Sequence, residues 1–282
     1  MTMGIGKLIR LNRLFSKADG RFCSVAVDHF VGYGERMPAG LRNLPRTLAQ
    51  IMAGGPDAVT MQKGTAMNCW KPYAGKTALI VQTGCFTADE RIIETLVTAE
   101  ECQRLGADAM AVAIGVCGPN EGRFIRILSD KVEEAVRWDL PIVAHIYPRD
   151  FSGKKVEILH NAEHIAWAVR VGIECGADVI KVGFTGDVAS FRDIVRACPV
   201  PIVAAGGPQC PTLLEALENV AKVMQSGARG ATIGRNIWGH SDIAGALRAF
   251  KAVVHDGLTP EEALHAGAGE RAAELVSANG AH

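Results

Sequence analysis

An α/β fold closed into a single (β/α)8 TIM barrel over residues 1–282 is what this sequence predicts, and three observations carry the prediction. A short apolar, β-branched run, a polar or glycine-containing turn and a longer segment with helical spacing of apolar residues recur eight times. The strand runs are too continuously apolar for a half-exposed sheet, so they fit parallel strands covered by helices. The length of 282 residues fits one barrel of about 250 residues with short extensions. Two ordinary domains or an open doubly wound sheet fit less well. Such a sheet carries G-x-G-x-x-G after its first strand, whereas this strand ends in Asp28-His29 with Gly32 and Gly34 beyond.

In chain order, the strands are expected at Phe22–Asp28, Asp57–Gln62, Ala78–Gln82, Asp108–Ile114, Pro141–Tyr147, Asp178–Gly183, Pro201–Ala205 and Gly230–Gly234. Several share a lead-in: Gly-Gly-Pro-Asp-Ala at 54–58, Gly-Ala-Asp-Ala at 106–109, Gly-Ala-Asp-Val at 176–179 and Gly-Ala-Arg-Gly-Ala at 227–231. A glycine there ends the preceding helix in the left-handed conformation and lets the chain re-enter the sheet. The clearest helices are Glu90–Leu105, Glu121–Trp138, Glu157–Cys175, Pro211–Ser226 and Asp242–His255. Thr87 to Glu90 has the capping-box spacing, and Pro211 suits a first helical turn. Residues 1–21 form a basic N-terminal segment, and 257–282 a C-terminal tail. With no aromatic residues interleaved, Arg10, Arg13, Lys17 and Arg21 read as a solvated face.

A hydrophobic fraction of 48% with 31 glycines excludes a disordered chain. Thirty basic residues balance thirty acidic ones. No overall field then favours nucleic acid, and any anion site must be local. The eight cysteines never form C-x-x-C and read as reduced thiols. The N-terminus has no apolar signal core, and no run approaches the roughly 18–20 apolar residues of a membrane span. A cytoplasmic protein without nucleic-acid or membrane partners is the expectation.

Barrel chemistry gathers at the C-terminal ends of strands. Those ends present Asp28, Lys63, Gln82, Tyr147, Lys181, Gly206-Gly207 and Gly234-Arg235. Lys181 stands out, because an ammonium in an apolar parallel strand is costly unless paired or neutral. It is either a structural ion pair or, once neutral, an amine able to attack a carbonyl. Alternation turns Val179, Lys181 and Gly183 to one face and Val143, His145 and Tyr147 to one face, which puts Tyr147 beside Lys181 at the mouth. A phenol there either shuttles a proton or packs at the rim. Asp28 is a base, an anchor for substrate hydroxyls or a loop cap. The glycine turns after strands seven and eight, with Arg235, form an anion site or simply turns. Lys63 is a rival amine, a phosphate ligand or a like charge that lowers the Lys181 pKa. His160 and His164, four apart, would share a helix face as a metal pair, but no further ligand is evident and surface histidines fit better.

Taken together, Ile5-Gly-Lys-Leu-Ile-Arg-Leu-Asn-Arg-Leu-Phe, Val25-Ala-Val-Asp-His, His145-Ile-Tyr-Pro-Arg, Lys181-Val-Gly-Phe-Thr-Gly-Asp, Ala204-Ala-Gly-Gly-Pro and Gly234-Arg-Asn-Ile-Trp make the chain resemble the DeoC/LacD and archaeal-type class I fructose-bisphosphate aldolase family, near its 2-amino-3,7-dideoxy-D-threo-hept-6-ulosonate synthase branch. The resemblance implies Lys181 as Schiff-base nucleophile, Tyr147 as proton donor and acceptor, and Asp28 assisting. It implies a sugar phosphate held by Gly206, Gly207, Gly234 and Arg235, with Lys63 and His29 in the binding set. It further implies no metal or cofactor and a homo-oligomer, often a decamer. Transaldolase-like synthesis, acyl transfer on a phosphorylated diketone and sugar-phosphate binding without turnover are the alternatives. Gln62, Gln82, His145 and Phe184 depart from residues frequent in relatives, so the pocket walls are not those of a typical member.

Overall fold

The computed structural model describes residues 4–29, 38–86, 93–153 and 156–267. Gly32 and Gly34, the Thr87–Glu90 spacing and the last part of the expected tail lie outside the described residues. Parallel strands β1 (Phe22–Ala26), β2 (Ala58–Gln62), β3 (Ala78–Gln82), β4 (Ala109–Val116), β5 (Ile142–Asp150), β6 (Val179–Val182), β7 (Ile202–Ala205) and β8 (Gly230–Ile233) run in the neighbour order β4-β3-β2-β1-β8-β7-β6-β5, and β4 pairs with β5 to close the barrel. Around it lie α2 (Leu44–Ala53), α3 (Lys63–Cys69), α4 (Ala99–Arg104), α5 (Glu121–Val136), α6 (Ala162–Glu174), α7 (Val188–Ala197), α8 (Leu213–Gln225), α9 (Arg235–Trp238) and α10 (Ile243–Lys251). A helix before the first strand, α1 (Ile5–Leu14), joins the base. The interior is narrow because its inward residues are mostly small: Ala58, Ala78, Ala109 and Ala111 pack with Phe22, Ile80 and three valines, and Leu14 of α1 closes this cluster. The larger core lies between barrel and helices.

The repeated lead-in has a second use beyond ending helices. The carboxylates of Asp57, Asp108 and Asp178 each accept a backbone N–H from the neighbouring strand, from Cys23 (2.7 Å), Leu79 (3.0 Å) and Ile142 (2.8 Å). Each also meets a cation or imidazole: Lys7 reaches Asp178 at 3.0 Å, Arg13 reaches Asp108 at 3.1 Å, and His255 lies 2.8 Å from Asp57. Arg10 donates to Gln103, and Arg21 to the Val254 carbonyl. The expected solvated face holds only in part: Lys17 is exposed, whereas Arg10, Arg13 and Arg21 find partners elsewhere in the chain. Carboxylates buried at the strand starts need partners, and Lys7 and Arg13 supply two of them at the barrel base, although the Arg13 side chain stays 64% exposed.

Other differences have local causes. The expected helix at Glu90–Leu105 begins only at Ala99, because Thr98 and Glu101 supply the capping box and Gly84–Phe86 pairs antiparallel with Ile93–Thr95. The helix expected from Glu157 begins at Ala162: Glu157–Ile158 pairs instead with Arg149–Asp150, and the Asn161 side chain caps α6. Pro211 precedes the cap rather than entering the first turn, since Thr212 accepts from Glu215 N–H. After α10 the chain widens into a π-turn over Ala252–Asp256 and stops at Gly257, whose φ of +67° is left-handed. The start of the expected tail is helical at 260–267.

His255 bridges Asp57 and Asp19, with its other nitrogen 2.9 Å from Asp19. Burial disfavours its charged form, but the two carboxylates outweigh that and raise its pKa. A raised folded pKa contributes stability that is present in full below the unfolded value of about 6.5 and is lost as pH rises through the folded value. The difference in Tm between the wild type and His255→Gln should therefore be largest near pH 6 and shrink toward pH 8, as thermal melts across that range would record; a difference constant with pH would contradict the bridge.

Candidate active site

Lys181 lies in the middle of β6, between Ile180 and Val182, and is 4% exposed. It stands in register with His145 on β5 and Val203 on β7. Val143 and Val179, in register with each other, belong to the barrel interior, so Lys181 and His145 face inward one pleat above them. Tyr147, two residues further along β5, shares that face at the mouth.

One pocket of about 400 Å³ opens at this end of the barrel. Its wall includes Lys181, Tyr147, His29, Gly206, Gly207, Gly234 and Arg235. Residues from β5, β6, β7 and β8 and from the segment that follows β1 thus converge on one cavity. Asp28 sits beside it: one carboxylate oxygen accepts from the Gln82 amide at 2.9 Å, and the other is 3.5 Å from His29 Nδ1.

Lys63 is not brought into this cavity. It opens α3 and pairs with Glu101 of α4 at 2.8 Å, outside the pocket wall. His160 and His164 do not act as a pair on one helix face, because Asn161 caps α6 between them. His164 turns to Asn161, whereas His160 lines the pocket. A Cβ on Gly183 would lie 2.5 Å from the His160 ring, so glycine at 183 makes room for the imidazole. The sequence makes His160 a surface histidine, whereas the structure puts it in the pocket wall. The hidden signal is that the Glu157–Ile158 strand carries the chain back along β5 before α6 begins.

The two glycine turns are constrained by close approach. A Cβ on Gly206 would fall 2.9 Å from Ile233 Cα, and one on Gly234 would fall 2.5 Å from the His29 ring. Gly207 has φ of +69°. Asn236 ties the turns together: its amide donates to the Gly206 and Pro208 carbonyls, and its oxygen accepts from Cys210 N–H. Arg235 donates to the Gly207 carbonyl at 3.0 Å, while its Nε is buried without a hydrogen-bond partner among the described residues. A guanidinium with an unused donor beside a cavity suits an anionic ligand.

Electrostatics separate the roles. Burial lowers the Lys181 pKa, with Asp28 pulling the other way, so the amine is more readily neutral than in water. Burial and then the Asp28 charge push the Tyr147 phenol well up, against Arg149 and Arg235, which keeps it protonated. Burial brings His29 down to about 4, opposed by Asp28 and assisted by Lys181 and Arg235. Burial, with Lys181 and His29, holds His145 well below the usual imidazole range. Both histidines are neutral at pH 7. The Arg149 guanidinium lies 5.6 Å from the centre of the Tyr147 ring, within cation–π range.

The sequence profile of the DeoC/LacD family aldolases matches residues 22–240. The chain belongs to this family. A 2-amino-3,7-dideoxy-D-threo-hept-6-ulosonate synthase of Halobacterium salinarum is 34% identical over 92% of the chain and 95% of that protein. A class 1 fructose-bisphosphate aldolase of Thermoproteus tenax is 32% identical over 90% of the chain and 96% of that protein. A solved Schiff-base-forming fructose-1,6-bisphosphate aldolase superposes with a TM-score of 0.77 at 30% identity, covering 88% of this chain and 100% of that one. No described helix is long and apolar enough to cross a membrane.

Proposed function

We propose that this family member is a class I aldolase that breaks or makes a carbon–carbon bond in a phosphorylated ketose through a Schiff base on Lys181, with fructose 1,6-bisphosphate as the leading substrate. The single observation that carries the reading is a buried, pKa-lowered lysine in the wall of one pocket that also holds Tyr147 and both glycine turns. The neutral amine adds to the C2 carbonyl, and loss of water leaves an iminium. The iminium draws the electrons of the C3–C4 bond onto nitrogen as the C4 hydroxyl gives up its proton and the aldehyde departs. The resulting enamine takes a proton at C3 from Tyr147, and water then releases dihydroxyacetone phosphate. The C4 proton recharges Tyr147, with the Asp28 carboxylate on its route. Gly206, Gly207, Gly234 and Arg235 hold the phosphate next to C1, and His29 completes that wall.

The iminium is itself the electron sink, so the reading needs no metal or cofactor. It also carries a cytoplasmic setting and a homo-oligomer, up to a decamer. Ile5, Leu8 and Ile9 of α1, with Val136 at the end of α5 and Trp138 just beyond it, leave apolar surface that assembly would cover. A transaldolase-like synthase is the second reading, favoured by the 34% identity to the halobacterial synthase. The two differ in whether the enamine is protonated or captured by an acceptor. Aldehyde release from fructose 1,6-bisphosphate should proceed without acceptor and survive EDTA. Release only when an acceptor aldehyde is present would favour the synthase, and marked loss with EDTA would exclude the metal-free chemistry.

A further inference from the structure

Deep in the barrel mouth, Gln82 and His145 form a connected hydrogen-bond system with Asp28, and the aldolase reading uses neither Gln82 nor His145. Gln82 is 3% exposed and ends β3; His145 is 2% exposed and lies inside β5. The Gln82 side-chain oxygen accepts the Gly84 N–H at 3.0 Å. Gly84 is fixed in turn, since Gln62 donates to its carbonyl and a Cβ there would lie 3.1 Å from the Ala113 carbonyl. The orientation of the Gln82 amide is therefore determined: its NH2 points the other way. That NH2 lies 2.9 Å from Asp28 Oδ2 and 3.2 Å from His145 Nδ1. An amide nitrogen has two hydrogens and no lone pair to offer, so His145 Nδ1 must accept, and the neutral ring carries its proton on Nε2.

We propose that Gln82 and His145 are positioning residues for Asp28: His145 Nδ1 engages one amide hydrogen of Gln82, which directs the other onto the carboxylate and holds it beside Lys181. This rests on the Schiff-base reading above and assigns the Gln82–His145 pair a part in proton transfer rather than in carbinolamine formation. The chemistry explains why the donor is an amide. A cation in its place would orient the carboxylate but neutralise it, whereas Gln82 orients Asp28 and leaves its full charge next to Lys181 and the mouth. His145 is the residue that keeps the amide from rotating away, and a protonated Nδ1 would collide with the amide hydrogens. The relay thus requires a neutral imidazole, in agreement with its burial next to Lys181.

The test separates two partial reactions of dihydroxyacetone phosphate: borohydride trapping of its Schiff base on Lys181, and exchange of its C3 hydrogen with solvent. Gln82→Met should leave trapping intact and slow exchange by about 10²-fold, the scale of a lost acid–base contribution. His145→Phe should do the same. His145→Asn places an amide oxygen where Nδ1 stood and should recover most of that loss, a result that a packing role for the ring would not give. Thermal melts on each variant separate lost positioning from lost folding; if Gln82→Met has no cooperative transition, the His145→Asn and His145→Phe pair decides. Exchange at the wild-type rate in Gln82→Met, or His145→Asn as slow as His145→Phe, would overturn the relay while the aldolase reading stood. Absence of any wild-type adduct would remove the aldolase reading and the relay with it.

Discussion

Lys181→Met is expected to lower cleavage of fructose 1,6-bisphosphate by roughly 10⁵-fold or more, the scale of a deleted covalent nucleophile, and at the same time to raise the Tm. The two effects come from one cause. Lys181 is 4% exposed, and burial holds its pKa down. Met has nearly the same volume and no group to desolvate, so the barrel interior gains what the lysine costs. Steady-state rates and thermal melts on the same preparation measure both. A Lys181→Met enzyme with full activity would exclude the mechanism, and one with a sharply lower Tm would show that Lys181 serves instead as a buried ion-pair member.

Tyr147→Phe is expected to slow turnover by about 10²–10³-fold while leaving the Schiff base able to form. The ring keeps its place under Arg149, so the substitution removes the hydroxyl and little else. Burial and the nearby Asp28 charge hold that hydroxyl protonated, which is the state required to protonate the enamine carbon. Without it, the covalent adduct should accumulate, and quenched-flow trapping should find a larger bound fraction in the variant than in the wild type. A variant with a normal rate would place the proton elsewhere.

The barrel was legible because its strands are apolar runs of regular spacing, and a buried parallel strand has few other sequence solutions. The Lys181 strand and the glycine turns were legible for the complementary reason that they break that rule in places where the fold permits chemistry. Three features were not. The aspartates at 57, 108 and 178 look like turn residues, and only the register shows their carboxylates capping neighbouring strands with Lys7, Arg13 and His255 opposite. The helix expected at 90–105 shares its polar pattern with a loop, and the Thr98 capping box settled its start. His160 and the Gln82–His145 pair depend on contacts between residues 23 and 63 positions apart, beyond any local periodicity. Lys63 shows the converse: a strand-end cation with the right chemistry turned toward Glu101 because α3 begins at that residue.

The central claim is covalent catalysis at one named amine, and the most direct measurement is borohydride reduction in the presence of dihydroxyacetone phosphate, followed by peptide mass mapping. A single adduct on Lys181, absent from Lys181→Met and unaffected by EDTA, is the expected result. An adduct on Lys63 instead, or none on any lysine while the enzyme turns over, would contradict it.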